Sequence, residues 1–330
     1  MQSRASLLSA LLVWLLVTCL LPAVGRRECA AADDDLLAVV KAGSRNARSV
    51  VASGRGKVSV RCWKLRGGDS VSETQSVLCV AFAGDAYRLS VDDEVVRDDP
   101  APGRVRVKAG TKSHQELAIR GYKVTELRER RRATLGDASR SGTRAEGLFY
   151  SYMSDIGLLD LTASGNGIVD IECLERSSSQ PTYASVTTRV VGREPVGGAE
   201  CILVETAARA SAYGTADRVV QMWVDPAKGF VMPRVRAYYE GGPFRERTLS
   251  HETTAEFREY APDVWYPAHV TRDYYRTDGQ GKPCKYRAVE ITYAPDFALN
   301  ARLSQAELSL ELPSGTRVYD EVLDAQYTAP

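Results

Sequence analysis

The stretch 218–242, RVVQMWVDPAKGFVMPRVRAYYEGG, limits what this chain can fold into more than any other. Val220, Met222 and Val224 recur at every second position, as do Val231, Val235, Ala237 and Tyr239, which is the period of a strand with one buried face. Between the two runs lies Asp225-Pro226-Ala227-Lys228-Gly229. Asp hydrogen-bonds the following backbone, Pro presets φ, and Gly takes the positive-φ position. This spacing predicts a β-hairpin with its register specified. Pro233 has no N–H for a ladder and marks an edge or a bulge. Nothing in the hairpin pairs a nucleophile with a base, so it argues for a sheet rather than for chemistry.

Alternating runs elsewhere extend that sheet. Strands are expected at 57–63, 76–82 and 86–92, at 167–174, 185–191 and 199–206, and as long antiparallel runs at 244–260, 266–276 and 284–293. A shorter one is expected at 104–108. Ahead of them Leu36, Leu37, Val40, Ala47 and Val50 recur near 3.6 residues behind Asp33-Asp34-Asp35. This predicts an opening amphipathic helix with an acidic first turn, weakened in its middle by Gly43. Ser113 and Glu116 have the spacing of a capping box for a second helix carrying Leu117 and Val124. The fold class is α+β, with a curved antiparallel sheet that has one wet and one mostly apolar face.

Residues 1–25 have the grammar of an export signal: Arg4, an apolar run from Leu7 to Leu21, and the small-x-small site Ala23-Val24-Gly25. Ala30-Ala31-Ala32 is a later candidate site, and Leu16-Val17-Thr18-Cys19 is a poor lipidation box, so a membrane tether stays open beside soluble export. The expected compartment is outside the cytoplasm and oxidising. The formal net charge is +1, which gives no support to general nucleic-acid binding. In an oxidising compartment, Cys62–Cys79 and Cys173–Cys201 are the expected disulfides, each pair lying on neighbouring strand candidates. No Cys-x-x-Cys pair is present, so no metal site is expected, and no cofactor is implied.

Two stretches carry candidate binding residues. Leu148 to Leu161 is the most apolar segment outside the signal, and its i, i+3, i+4 recurrences suggest helical turns. It reads either as a buried packing helix or as a movable cover over an apolar cleft, with Phe149, Tyr152, Met153 and Leu159 facing the ligand across from Val220, Met222, Val224 and Val235. From Arg120 to Arg144, eight basic and three acidic side chains give +5. The concentration at Arg128, Arg130, Arg131 and Arg132 is either a solvated helix face or a surface for an acidic protein or anionic membrane. Catalysis has little to stand on. His114, His251 and His269 belong to no metal motif, Ser151 and Ser314 to no nucleophile elbow, and Glu205 with Asp217, or Glu252 with Glu256, would be the carboxylate pairs of a hydrolase.

Four pieces together, in order, resemble a known family: the opening helix with its first strands; Met222-Trp223-Val224-Asp225-Pro226 with Gly229-Phe230-Val231; Val264-Trp265-Tyr266-Pro267; and Leu312-Pro313-Ser314-Gly315-Thr316-Arg317-Val318-Tyr319-Asp320. Their order is similar to that of the periplasmic lipoprotein-carrier superfamily, the outer-membrane lipoprotein-sorting proteins of LolA type. The resemblance implies a strongly curved open half-barrel over 33–320, with helices covering the concave face. It also implies a non-catalytic carrier for a lipid, acyl chain or lipoprotein. This chain is enlarged, with an inserted helical region at about 93–185 and a tail at 321–330. The alternative is an envelope sensor or protein-interaction module; hydrolysis ranks below both.

Overall fold

A computed structural model of the protein describes residues 34–66, 69–99, 106–129, 131–140, 143–144, 171–172, 175, 183–210, 216–278 and 282–330. The described strands join in one open sheet built from two antiparallel meanders. The first comprises β1 (Ser53–Arg66), β2 (Asp69–Ala83), β3 (Ala86–Asp98), β4 (Lys112–Arg120), β5 (Lys123–Arg128) and β6 (Arg132–Asp137). The second comprises β7 (Tyr183–Val196), β8 (Ala199–Ala210), β9 (Asp217–Asp225), β10 (Val231–Gly241), β11 (Phe244–Ala261), β12 (Val264–Thr277) and β13 (Pro283–Tyr293). They meet where β1 pairs antiparallel with β13, Val58 opposite Tyr293. After a short β14 (Ala298–Leu299) against β1, the chain returns to lay β15 (Arg317–Asp320) parallel to β6, and β16 (Ala325–Thr328) forms the outer edge. The far edge is β7, so the sheet does not close.

Four apolar clusters lie along this sheet among the described residues, two of them large. The larger packs Val58, Leu78, Leu89, Leu117, Val270 and Ile291 from the central strands with Tyr266 and Phe297. The second lies over β8–β10 and is where the opening helix sits. That helix, α1, spans 34–49, and its buried positions Val40, Ser44 and Ala47 follow the 3.6 period expected of it. A four-residue α2 (Gln305–Leu308) starts at Ser304, whose hydroxyl accepts from the Glu307 N–H while the Glu307 carboxylate accepts from the Ser304 N–H.

Several expectations are corrected here. Ser113 and Glu116 lie in β4, not at a helix start: Leu117 and Ile119 are both buried two residues apart, and that period overrides the capping signature. The same S-x-x-E spelling does cap a helix at Ser304. The described part of 93–140 is therefore hairpin strands rather than an inserted helical region, and 321–330 is not a tail, because it contains β16. Residues 106–108 have no regular structure, and Ile171 and Glu172 are helical where a strand was expected. The protein is predominantly sheet; among the described residues, α1 and the helical residues near 171–175 are what lies against the second cluster, and no wider helical cover of a concave face is present.

Candidate functional site

The hairpin is the site's foundation. Asp225 accepts from the Ala227 N–H at 3.0 Å, Pro226 opens a 3-10 turn, and Gly229 ends it at φ 68. Pro233 falls at a bulge, since the β9–β10 register shifts between Val231 and Arg234. Beyond the bulge, Val235 pairs with Met222 and Ala237 with Val220, while Val204 of β8 pairs with Met222 and Ile202 with Val224. Directly opposed residues share a face. Val220, Met222, Val224 and Val235 therefore form one apolar floor with Ile202 and Val204, and all are buried.

Val40 of α1 and Ile171 complete that cluster, with Leu36, Leu37 and Phe230 packed against it. The cover is seated by a close approach at Gly43. A Cβ there would fall 2.3 Å from ring carbons of Phe230. Phe230 reaches this position with a left-handed φ of 66, fixed by its N–H donating to the Asp225 carbonyl at 2.9 Å. At the rim, Lys41 pairs with Glu175 at 2.8 Å and Arg45 with Glu172. Ion pairs at a solvent-accessible rim contribute about 0–1 kcal/mol each.

The opposite face of the same strands is charged and self-satisfied. Trp223 is buried there. The guanidinium groups of Arg234 and Arg236 lie 5.1 and 5.6 Å from its ring centroid, and its N–H donates to Glu194 at 2.8 Å. Three of the four carboxylates considered for hydrolysis, Glu205, Asp217 and Glu252, are occupied. Burial pushes the Glu205 carboxyl up, but hydrogen bonds from Arg189, Arg247 and Gln221 outweigh it and hold the group below its ordinary range. Burial likewise raises Asp217, and the Ala210 N–H and Arg209 bring it below normal. Glu252 bridges Arg234 and Arg236. Glu205 and Asp217, held ionised in this way, are poor general acids. Among the described residues no three His, Cys, Asp or Glu side chains converge on a metal position.

Beside the apolar floor the same face turns polar. Thr253 of β11 neighbours Val235, and Arg272 of β12 neighbours Thr253. Arg272 is 0% exposed; its Nε donates to the Thr253 hydroxyl and its Nη1 to the Tyr274 hydroxyl, both at 3.3 Å. His251, also buried, tilts against the Tyr274 ring at 6.0 Å. Sequence reasoning missed Arg272, although a signal was present: it is in phase with Tyr266 and Val270, so alternation alone places an arginine on the buried face.

The remaining candidate residues separate. Phe149, Tyr152, Met153 and Leu159 lie outside the described residues, as do Arg130 and Cys173. Arg128 donates to Glu126 at 2.6 Å, so it is neutralised. Arg131 and Arg132 instead line a cavity of about 560 Å³ with Ser314, Gly315, Thr316 and Arg317. The Cys62–Cys79 disulfide is overturned. Cys62 stands opposite Thr74 and Cys79 opposite Lys57, so the two thiols are five positions apart along β2 and on opposite faces. Both are free, as is the buried Cys201, whose thiol is pushed up to about 11 first by burial and then by Asp225.

No family model matches the chain, and no curated protein matches it. Among solved structures it is similar to a DUF1329 family protein from Desulfovibrio piger (13% identity, 82% of this chain and 96% of that one, TM-score 0.42). It is also similar to a putative outer membrane lipoprotein-sorting protein domain from Vibrio parahaemolyticus (12%, 82% and 95%, TM-score 0.42) and a LolA superfamily protein from Nitrosomonas europaea (13%, 82% and 97%, TM-score 0.40). Two of these bear the family description that the motif order resembles. At these TM-scores the likeness adds no argument about the site.

Proposed function

We propose that this protein is an exported, non-catalytic carrier or binding protein for a lipid or for the acyl chains of a lipoprotein. Val220, Met222, Val224 and Val235 form the floor of the cleft, and α1 forms its cover. The observation that carries the reading is the apolar floor on an open sheet, continuous over three strands and roofed by a helix whose rim carries the Lys41–Glu175 and Arg45–Glu172 ion pairs. Placing about 15 methylenes on such a floor is worth roughly 12 kcal/mol before ordering costs. Lifting the fully buried Val40 away forfeits about 1.5–3 kcal/mol and the half-buried Leu36 and Leu37 less, so the balance favours uptake and part of it is returned when cargo passes to a tighter acceptor. Arg272 and His251 border the floor on the side where an acyl chain would carry its polar end.

Native mass spectrometry of protein purified from membrane-containing extract tests this. Adducts that release acyl species on denaturation are expected. A clean unliganded mass, together with no uptake of a fluorescent fatty acid, overturns the reading and leaves an envelope interaction module in its place.

A further inference from the structure

We propose that Arg131, Arg132 and Arg317 form a binding site for a phosphate-type oxyanion. Parallel pairing of β15 with β6 sets Arg317 directly beside Arg132, and the Arg317 N–H donates to the Arg131 carbonyl at 3.0 Å. Residues from distant parts of the chain are thereby brought to one wall of the 560 Å³ cavity, whose other wall is Ser314, Gly315 and Thr316. Like charges on neighbouring strands repel. Among the described residues no carboxylate pairs with these three: Glu126 is taken by Arg128 and Arg144, each at 2.6 Å, Asp137 accepts from Ser139, and Glu129 lines a separate cavity with Arg128 and His114. The facing wall is fixed in advance. The buried Thr316 hydroxyl donates to the Pro313 carbonyl at 2.6 Å, and Gly315, at φ 82, donates its N–H to the Ala329 carbonyl at 3.0 Å. Three uncompensated guanidinium groups, each with a planar fork of donors, suit a tetrahedral oxyanion with several acceptor oxygens. This site is independent of the acyl cleft.

The test follows arginine Nε–H resonances during titration with inorganic phosphate and, separately, with vesicles of phosphatidylcholine containing about a quarter phosphatidylglycerol. Saturable shifts confined to the three arginines are expected. Arg317→Gln should weaken binding about fivefold and the triple glutamine variant about a hundredfold, at about a factor of five per basic group. Arg193→Gln, far from the cavity, should change nothing. Vesicle binding that phosphate displaces assigns the oxyanion to a lipid headgroup; phosphate binding without vesicle binding assigns it to a soluble ligand, and either supports the site. Absence of both, or wild-type binding by Arg317→Gln, overturns it. Should the triple variant not fold, the wild-type titrations and the single variant decide.

Discussion

Gly43→Ala should destabilise this protein, although the same change in an ordinary helix stabilises by about 1 kcal/mol. The new methyl carbon would lie 2.3 Å from two ring carbons of Phe230 and 2.7 Å from a third, whereas carbons pack at about 3.5–4.0 Å. One partner must therefore move by more than about 1 Å. Phe230 has little freedom to do so, because its left-handed backbone is pinned to Asp225 and the Asp225 side chain is pinned to the turn. Overpacking of this kind costs about 1–3 kcal/mol, which exceeds the propensity gain or at the least cancels it. A double-mutant cycle isolates the contact. Phe230→Ala alone should cost about 2–3 kcal/mol, and in that background Gly43→Ala should become stabilising by about 1 kcal/mol. Urea denaturation followed by circular dichroism measures all four corners. If Gly43→Ala stabilises the wild type as much as it stabilises Phe230→Ala, α1 is not seated on Phe230 and the cover is misplaced.

Stability should be greatest in mildly acidic solution. Glu205 and Asp217 are held below their ordinary values of 4.5 and 3.8, so their contribution is present above those values and is lost as pH falls through the lowered ones. His114 is raised above 6.5, chiefly by its hydrogen bond to Asp92, so its contribution is full below 6.5 and fades as pH rises through the raised value. Denaturation midpoints should peak between these limits, and His114→Gln should flatten the decline on the alkaline side only. Among the described thiols, the exposed Cys79 should react readily with a disulfide reagent near neutral pH, while Cys201 should react only on unfolding; resistance of Cys79 would reopen its pairing. Arg272→Ala, which strips a donor from the Thr253 and Tyr274 hydroxyls and leaves a void, should cost about 2–5 kcal/mol by the same denaturation assay.

The hairpin was legible in the sequence because turn chemistry and alternation agreed over one short stretch; Pro233 marked an edge or a bulge, and pairing of β10 on both sides makes it a bulge. The long strands of the second meander were legible for the same reason. β4 to β6 were not: they are short, heavily charged, and open on a capping signature that local reasoning ranks above two alternating apolar residues. The disulfide failed on register, since neighbouring strands bring two cysteines together only if their positions fall opposite and on one face, and that depends on pairing the sequence does not spell out. The arginine cavity was half visible. Arg131 and Arg132 stood out by composition, but Arg317 joins them through a parallel pairing between segments far apart in the chain, and Arg128 leaves them through an ion pair with Glu126, which is buried.

The central claim is that the face carrying Met222 receives an acyl chain beneath α1. Photocrosslinking with a diazirine-bearing fatty acid, followed by peptide mapping, tests it most directly. Adducts on the peptides that carry Val40 and Val220 to Val235, suppressed by excess unlabelled fatty acid, are the predicted result. Saturable labelling elsewhere on the protein, or labelling that excess fatty acid does not suppress, would contradict it.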